Sequence, residues 1–171
     1  GLERSVTLPD GRVVVISDFN SGLATPSLPV TQRVAIFDPG TLTFRSLPPL
    51  PEARIGYSLT ALRDGTVLIA GGARAHPDAS DATPMATAWR LDPRTGAYQP
   101  TGPMLEPRWF HGAALLADGR VLLAGGSAER APDGMDASFP FTPERSTQWY
   151  DPDDGRFHAG PFLSEARVSP V

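Results

Sequence analysis

The chain contains no cysteine and no lysine, and only one asparagine, Asn20. Without cysteine there is no disulfide framework, no thiolate metal site and no cysteine nucleophile. A secreted or periplasmic location is therefore neither demanded nor opposed by redox chemistry. All 15 basic residues are arginine, a bias that points to GC-rich coding in a bacterial source. No apolar run approaches the roughly 18 to 20 residues of a membrane helix, so no membrane insertion is expected. The opening Gly1-Leu2-Glu3-Arg4 lacks the basic-then-apolar build of a secretory signal. Acidic residues outnumber basic ones, 19 to 15, for a net charge of -4 and a pI near 5.3. That balance argues against nucleic acid as a partner and against a polybasic membrane surface, since either needs clustered cations.

What is abundant is punctuation. The 171 residues include 17 glycines and 19 prolines, which leaves little room for long helices and predicts a turn-rich, all-β protein. A hydrophobic share of 40% is enough to build a core and argues against a disordered chain.

Self-similarity organises the sequence. Asp10-Gly11, Asp64-Gly65 and Asp118-Gly119 recur at intervals of 54 residues. Each precedes an apolar run: Val13-Val14-Val15-Ile16, Val67-Leu68-Ile69-Ala70 and Val121-Leu122-Leu123-Ala124. The last two runs end in Gly71-Gly72 and Gly125-Gly126. Phe37-Asp38-Pro39, Leu91-Asp92-Pro93 and Tyr150-Asp151-Pro152 follow, then the aromatics Phe44, Tyr98 and Phe157, then Pro-rich exits closing at Arg54, Arg108 and Arg167. Such a period marks repeated supersecondary units. Their bounds are 1–54, 55–108 and 109–167, with 168–171 opening a further one.

Each unit reads as four short strands, A to D. The Asp-Gly turn joins A to B and supplies the positive φ that tight hairpins need. The Asp-Pro turn joins C to D, with Gly96 or Gly155 in the left-handed position and Leu42 in their place in the first unit. One four-stranded sheet cannot bury both of its faces, so each sheet is expected to stack on a neighbour.

The Gly pair ending strand B, the aromatic and Asp-Pro of strand C, the aromatic of strand D and the Pro-rich exit with Arg resemble the kelch repeat. The resemblance implies a kelch-type β-propeller with three four-stranded blades present. The first unit departs from it, with Ser17-Asp18 where the others have Gly-Gly. Propellers close with about four to eight blades. Either a longer chain or a homo-oligomer, for example two chains making six blades, is expected to complete the ring.

A propeller places its A-B and C-D turns on one face and its B-C and D-A loops on the other. The B-C loops vary: Gly72 to Asp92 is 20 positions, Gly126 to Asp151 is 25. The longer loop, 127–146, carries Glu129, Arg130, Asp133, Asp136, Phe139, Phe141, Glu144 and Arg145. Its counterpart, 73–86, carries Arg74, His76, Asp78 and Asp81. Variable loops on a rigid scaffold commonly hold recognition sites. At the D-A corner Arg54, Arg108 and Arg167 offer guanidinium forks to a carboxylate or sulfate. Recurrence in every unit favours bonds to main-chain carbonyls or to the nearby Glu52, Glu106 or Glu165. Tyr57, Trp109 and His111 follow these arginines and are not uniform across units, which favours a ligand role. The ligand-binding candidates are thus Arg54, Tyr57, Arg108, Trp109 and His111, with a protein, peptide or glycan as the ligand.

Catalytic motifs are lacking. His76, His111 and His158 are too scattered for a zinc site, and no metal or cofactor is expected. The run Asp151-Pro152-Asp153-Asp154-Gly155 lacks the spacing of a calcium loop and reads as a turn. There is no Gly-x-Ser-x-Gly elbow, no P-loop and no dinucleotide fingerprint. The expected function is a non-catalytic binding scaffold. Arg108-Trp109-Phe110-His111-Gly112, with Phe141-Thr142-Pro143-Glu144, also looks like the propeller of galactose oxidase-like copper radical oxidases. That resemblance implies copper ligands near Tyr57 and His111, and a fragment of such an enzyme, or of another carbohydrate-acting propeller enzyme, is the alternative. Phe110 stands in the place of its second tyrosine, and the cysteine of its cross-link is absent.

Overall fold

In a computed structural model the chain is all-β, and the structure describes residues 3–17, 32–74, 83–129 and 142–168. The first sheet runs β1 (Arg4–Thr7), β2 (Val13–Ser17), β3 (Arg33–Asp38) and β4 (Thr43–Leu47), each strand beside the next. The second is made of β6 (Ser58–Ala61), β7 (Val67–Ala70), β9 (Ala88–Asp92) and β10 (Ala97–Pro100) in that order. The third is made of β11 (Gly112–Leu115), β12 (Val121–Ala124), β13 (Thr147–Asp151) and β14 (Arg156–Ala159). A separate two-stranded sheet pairs β5 (Arg54–Ile55) with β8 (Ala73–Arg74). Every pairing is antiparallel, and the described residues contain no helix.

The turn chemistry is the one the sequence announces. Gly11, Gly65 and Gly119 take φ of +87°, +82° and +95°. The preceding Asp residues do not, so these are three-residue loops with one left-handed position, not turns that need two. Asp10, Asp64 and Asp118 each accept the main-chain N–H two residues on, at 3.0, 3.0 and 3.1 Å. At the C-D turns Gly96 and Gly155 stand at +78° and +70°, and Leu42 at +56°.

Burial explains how the sheets stack. Leu8, Val14, Ile16, Val34 and Leu50 from the first unit pack with Tyr57, Val67, Ile69 and Leu91 of the second. Leu62, Leu68, Ala70, Ala88 and Met104 of the second pack with Val121, Leu123, Tyr150 and Phe157 of the third. The middle sheet is therefore covered on both faces, and β7 is buried at all four positions. Its flanking counterparts β2 and β12 alternate buried and half-buried. Full burial stabilises by about 1.5–3 kcal/mol per large aliphatic side chain, so Val67, Leu68 and Ile69 tie three sheets together through one strand. The strands β1, β6 and β11 lie next to one another, β6 between the other two. Their starts define the end of the molecule where the candidate residues gather.

Candidate functional site at the starts of β1, β6 and β11

The glycine pairs set the geometry. Gly71 and Gly72 take φ of +62° and +91°, Gly125 and Gly126 +65° and +88°. Gly72 donates its N–H to the Arg108 carbonyl at 2.8 Å, and Gly126 donates to the Arg167 carbonyl at 2.8 Å. A Cβ on Gly71 would sit 2.5 Å from the Arg108 carbonyl oxygen, and one on Gly125 2.5 Å from that of Arg167. These pairs therefore serve two demands at once, a left-handed backbone and the close approach of the segment that leads into the next unit.

Arg54 and Arg108 are buried, at 0% and 1% exposure. Arg54 Nη1 donates to the carbonyls of Gly71 and Thr87, both at 3.0 Å, while Nη2 reaches Glu52 Oε2 at 2.9 Å and Thr87 Oγ1 at 3.0 Å. Arg108 repeats the pattern with the carbonyls of Gly125 and Ser146 at 2.9 and 3.0 Å, Glu106 Oε2 at 3.3 Å and Ser146 Oγ at 2.9 Å. Burial pulls both guanidinium pKa values down, and Glu52 and Glu106 oppose it. Both forks are thus occupied by the protein itself, on carbonyls and nearby acids. Arg167 repeats only the acid contact, to Glu165 Oε2 at 3.3 Å, with a side chain 59% exposed.

Tyr57 and His111 occupy matching places, each three residues past its arginine. Between them and their arginines, Gly56 and Phe110 both adopt left-handed backbone, at +63° and +52°. Phe110 donates its N–H to the Gly56 carbonyl at 2.7 Å, locking the two left-handed corners side by side. Trp109 is fully buried, tilted against the Phe110 ring at 5.0 Å, and its main chain exchanges two 3.0 Å hydrogen bonds with Ser127. His111 Nε2 lies 2.9 Å from Ser58 Oγ. Burial, reinforced by the charges of Arg108 and Arg4, pushes the His111 pKa down to about 3, so the ring is neutral. Arg4, at the start of β1, places its guanidinium carbon 5.2 Å from the centre of the Tyr57 ring, a cation over an aromatic face.

All five candidates from the sequence therefore meet at the end where β1, β6 and β11 start, and all five are buried. Two participants carried no signal in the sequence. Ser58 pairs with His111 across units, and Arg4 stands over Tyr57; only the stacking of β1, β6 and β11 brings them in. Of the loop residues, His76, Asp78, Asp81, Arg130, Asp133, Asp136, Phe139 and Phe141 lie outside the described residues. Among the described residues no three His, Asp or Glu side chains converge as metal ligands.

A cavity of about 450 Å³ lies at the opposite end, between the turns of the second and third units. Leu62, Arg63, Asp64, Asp118, Arg120 and Asp153 are among its lining residues. Its charges are largely paired: Arg90 with Asp64, Arg120 with Asp118, and Arg63 with the Ala117 carbonyl.

No family model matches the chain. A stretch of 85 residues, 48% of the chain, is 31% identical to the tRNA wybutosine-synthesizing protein 4 of Eremothecium gossypii. The chain spans 11% of the length of that curated relative.

Proposed function

We propose that the three units are kelch-type propeller blades, and that the protein is a non-catalytic scaffold holding a protein, peptide or glycan over its B-C and D-A loops. The observation that carries this reading is the convergence of Arg4, Tyr57 and His111 from three successive units at the end where those loops leave the sheets. Arg4, half-buried over the Tyr57 ring, is the part of this cluster that reaches solvent, and its guanidinium suits a ligand that offers an acceptor. Arg54, Arg108 and Trp109 serve this end from beneath, by fixing the backbone that presents it. The alternative, a fragment of a copper radical oxidase, gains nothing from the donor set, since among the described residues no three His, Asp or Glu side chains converge at His111. Nor does a match covering 11% of a tRNA wybutosine-synthesizing protein bring RNA as a ligand to a chain of net charge -4.

Glycan and peptide arrays probed with the whole chain test the proposal. Binding is expected to fall at least tenfold in Arg4→Gln with the melting temperature unchanged. Failure to bind on either array leaves an architectural repeat. Stoichiometric copper with peroxide release from an alcohol establishes the oxidase instead.

A further inference from the structure

Arg4, Ser58 and Gly112 hold the same place in the three units, each opening its strand, β1, β6 or β11. Two of them reach the unit that follows in the same way. Ser58 Oγ lies 2.9 Å from Nε2 of His111, the residue just before β11. The Arg4 guanidinium carbon lies 5.2 Å from the ring centre of Tyr57, the residue just before β6. The first contact is a hydrogen bond that serves both partners. The second is an attraction to a ring face, which leaves the N–H donors of the guanidinium without acceptors.

Among the described residues Arg4 makes no side-chain hydrogen bond and no ion pair, and its Nε is shielded from solvent without a partner. Arg33 and Arg156 lack such bonds too, but both stand exposed, where water serves them. Arg54 and Arg108, at the same end of the sheets as Arg4, are answered by Glu52 and Glu106. By the repeated register, the start of any preceding strand would address Glu3, the residue just before β1, and not Arg4. A guanidinium drawn partly out of water without an acceptor costs free energy that a bound acceptor recovers. A carboxylate meets the planar fork with two parallel bonds. One cation calls for one negative charge, since a dianion such as phosphate would bring an unanswered charge to a chain of net charge -4.

We propose that Arg4 is the anchor for a single carboxylate of the ligand, its fork turned to the acid with the Tyr57 ring behind it. This inference rests on the ligand reading above and gives the ligand's acceptor a chemical class. The carboxylate can come from the end of a peptide chain or from a small free acid.

Titration calorimetry on the whole chain with N-acetylglycine, N-acetyl-triglycine and the amide of each tests it. Each acid is expected to bind at least tenfold more tightly than its amide. Arg4→Gln is expected to abolish that preference with the circular dichroism spectrum and melting temperature unchanged. Arg4→Lys is expected to keep part of it, since the charge remains and the fork does not. Arg33→Gln, which removes an exposed cation, is expected to keep it in full. Tighter binding of the peptide acid assigns the carboxylate to a chain end, and equal affinities assign it to a free acid. Acids and amides that bind alike, or a preference that survives in Arg4→Gln, overturn the proposal and leave the scaffold reading standing. Failure of both acids to bind also overturns the proposal, and failure on the arrays as well overturns the reading it rests on.

Discussion

The N–H of Gly72 donates to the carbonyl of Arg108 at 2.8 Å, while the guanidinium of Arg108 reaches forward to the carbonyls of Gly125 and Ser146. One residue thus joins two units, its main chain belonging to the contact behind it and its side chain to the sheet ahead.

Replacing the glycine side of that contact separates backbone strain from crowding. Gly65 and Gly72 both have positive φ, but a Cβ on Gly65 meets nothing within 4 Å, whereas one on Gly72 sits 2.7 Å from the Ile55 carbonyl oxygen. Gly65→Ala is expected to cost about 1–2 kcal/mol, the left-handed penalty alone. Gly72→Ala is expected to exceed it by at least about 1 kcal/mol, because main chain must move. Denaturant unfolding of the two variants measures the difference; equal losses would show that the approach of the Ile55 segment is slack.

Arg108→Lys tests the other side. An ammonium cannot serve two carbonyls, a hydroxyl and Glu106 at once as the planar fork does, so a loss of about 2–4 kcal/mol is expected. Arg167→Lys, whose exposed side chain bonds Glu165 alone among the described residues, is expected to stay within about 0.5 kcal/mol. Similar losses for both, read by thermal unfolding, would mean that burial of the Arg108 fork contributes little.

His111 carries a pH dependence. Its folded pKa is about 3 against an ordinary value of 6.5, so below pH 6.5 the unfolded chain takes up a proton that the folded chain refuses. The stabilisation is complete above pH 6.5 and is lost as the pH falls toward 3, at up to about 1.4 kcal/mol per pH unit. Between pH 6.5 and 5 this amounts to about 2 kcal/mol, above the range in which the lowered Asp pKa values begin to matter. His111→Gln keeps a partner for Ser58 and removes the titration. Its stability is expected to be nearly flat over that window in denaturant titrations, and a variant as acid-sensitive as the wild type would place the proton elsewhere.

The sheets were legible because their signals are local. Asp-Gly and Asp-Pro turns fix where strands begin and end, and the 54-residue period carries that reading into the first unit, where Ser17-Asp18 replaces Gly-Gly. The site was legible only in part. Arg54 and Arg108 announced themselves by recurrence, and Glu52 and Glu106 lay close enough in sequence to be named as partners. The left-handed backbone of Phe110 was hidden, since nothing in a phenylalanine suggests the conformation that Gly56 adopts at the same place. Ser58 was hidden for a different reason: its bond to His111 spans two units and exists only once β6 and β11 stand side by side. The short pair β5 and β8 likewise forms between segments that the period alone marks as connections. The cavity between the turns arises from the spacing of two sheets, a quantity no single segment encodes.

The arginine that points forward and binds backward also governs how such a chain can lengthen or shorten. A gene segment of one full period, cut anywhere within the repeat, carries with it one forward grip and one backward grip. Adding or deleting whole units therefore leaves every remaining joint furnished, whereas a change of half a unit strands a buried cation without its carbonyls.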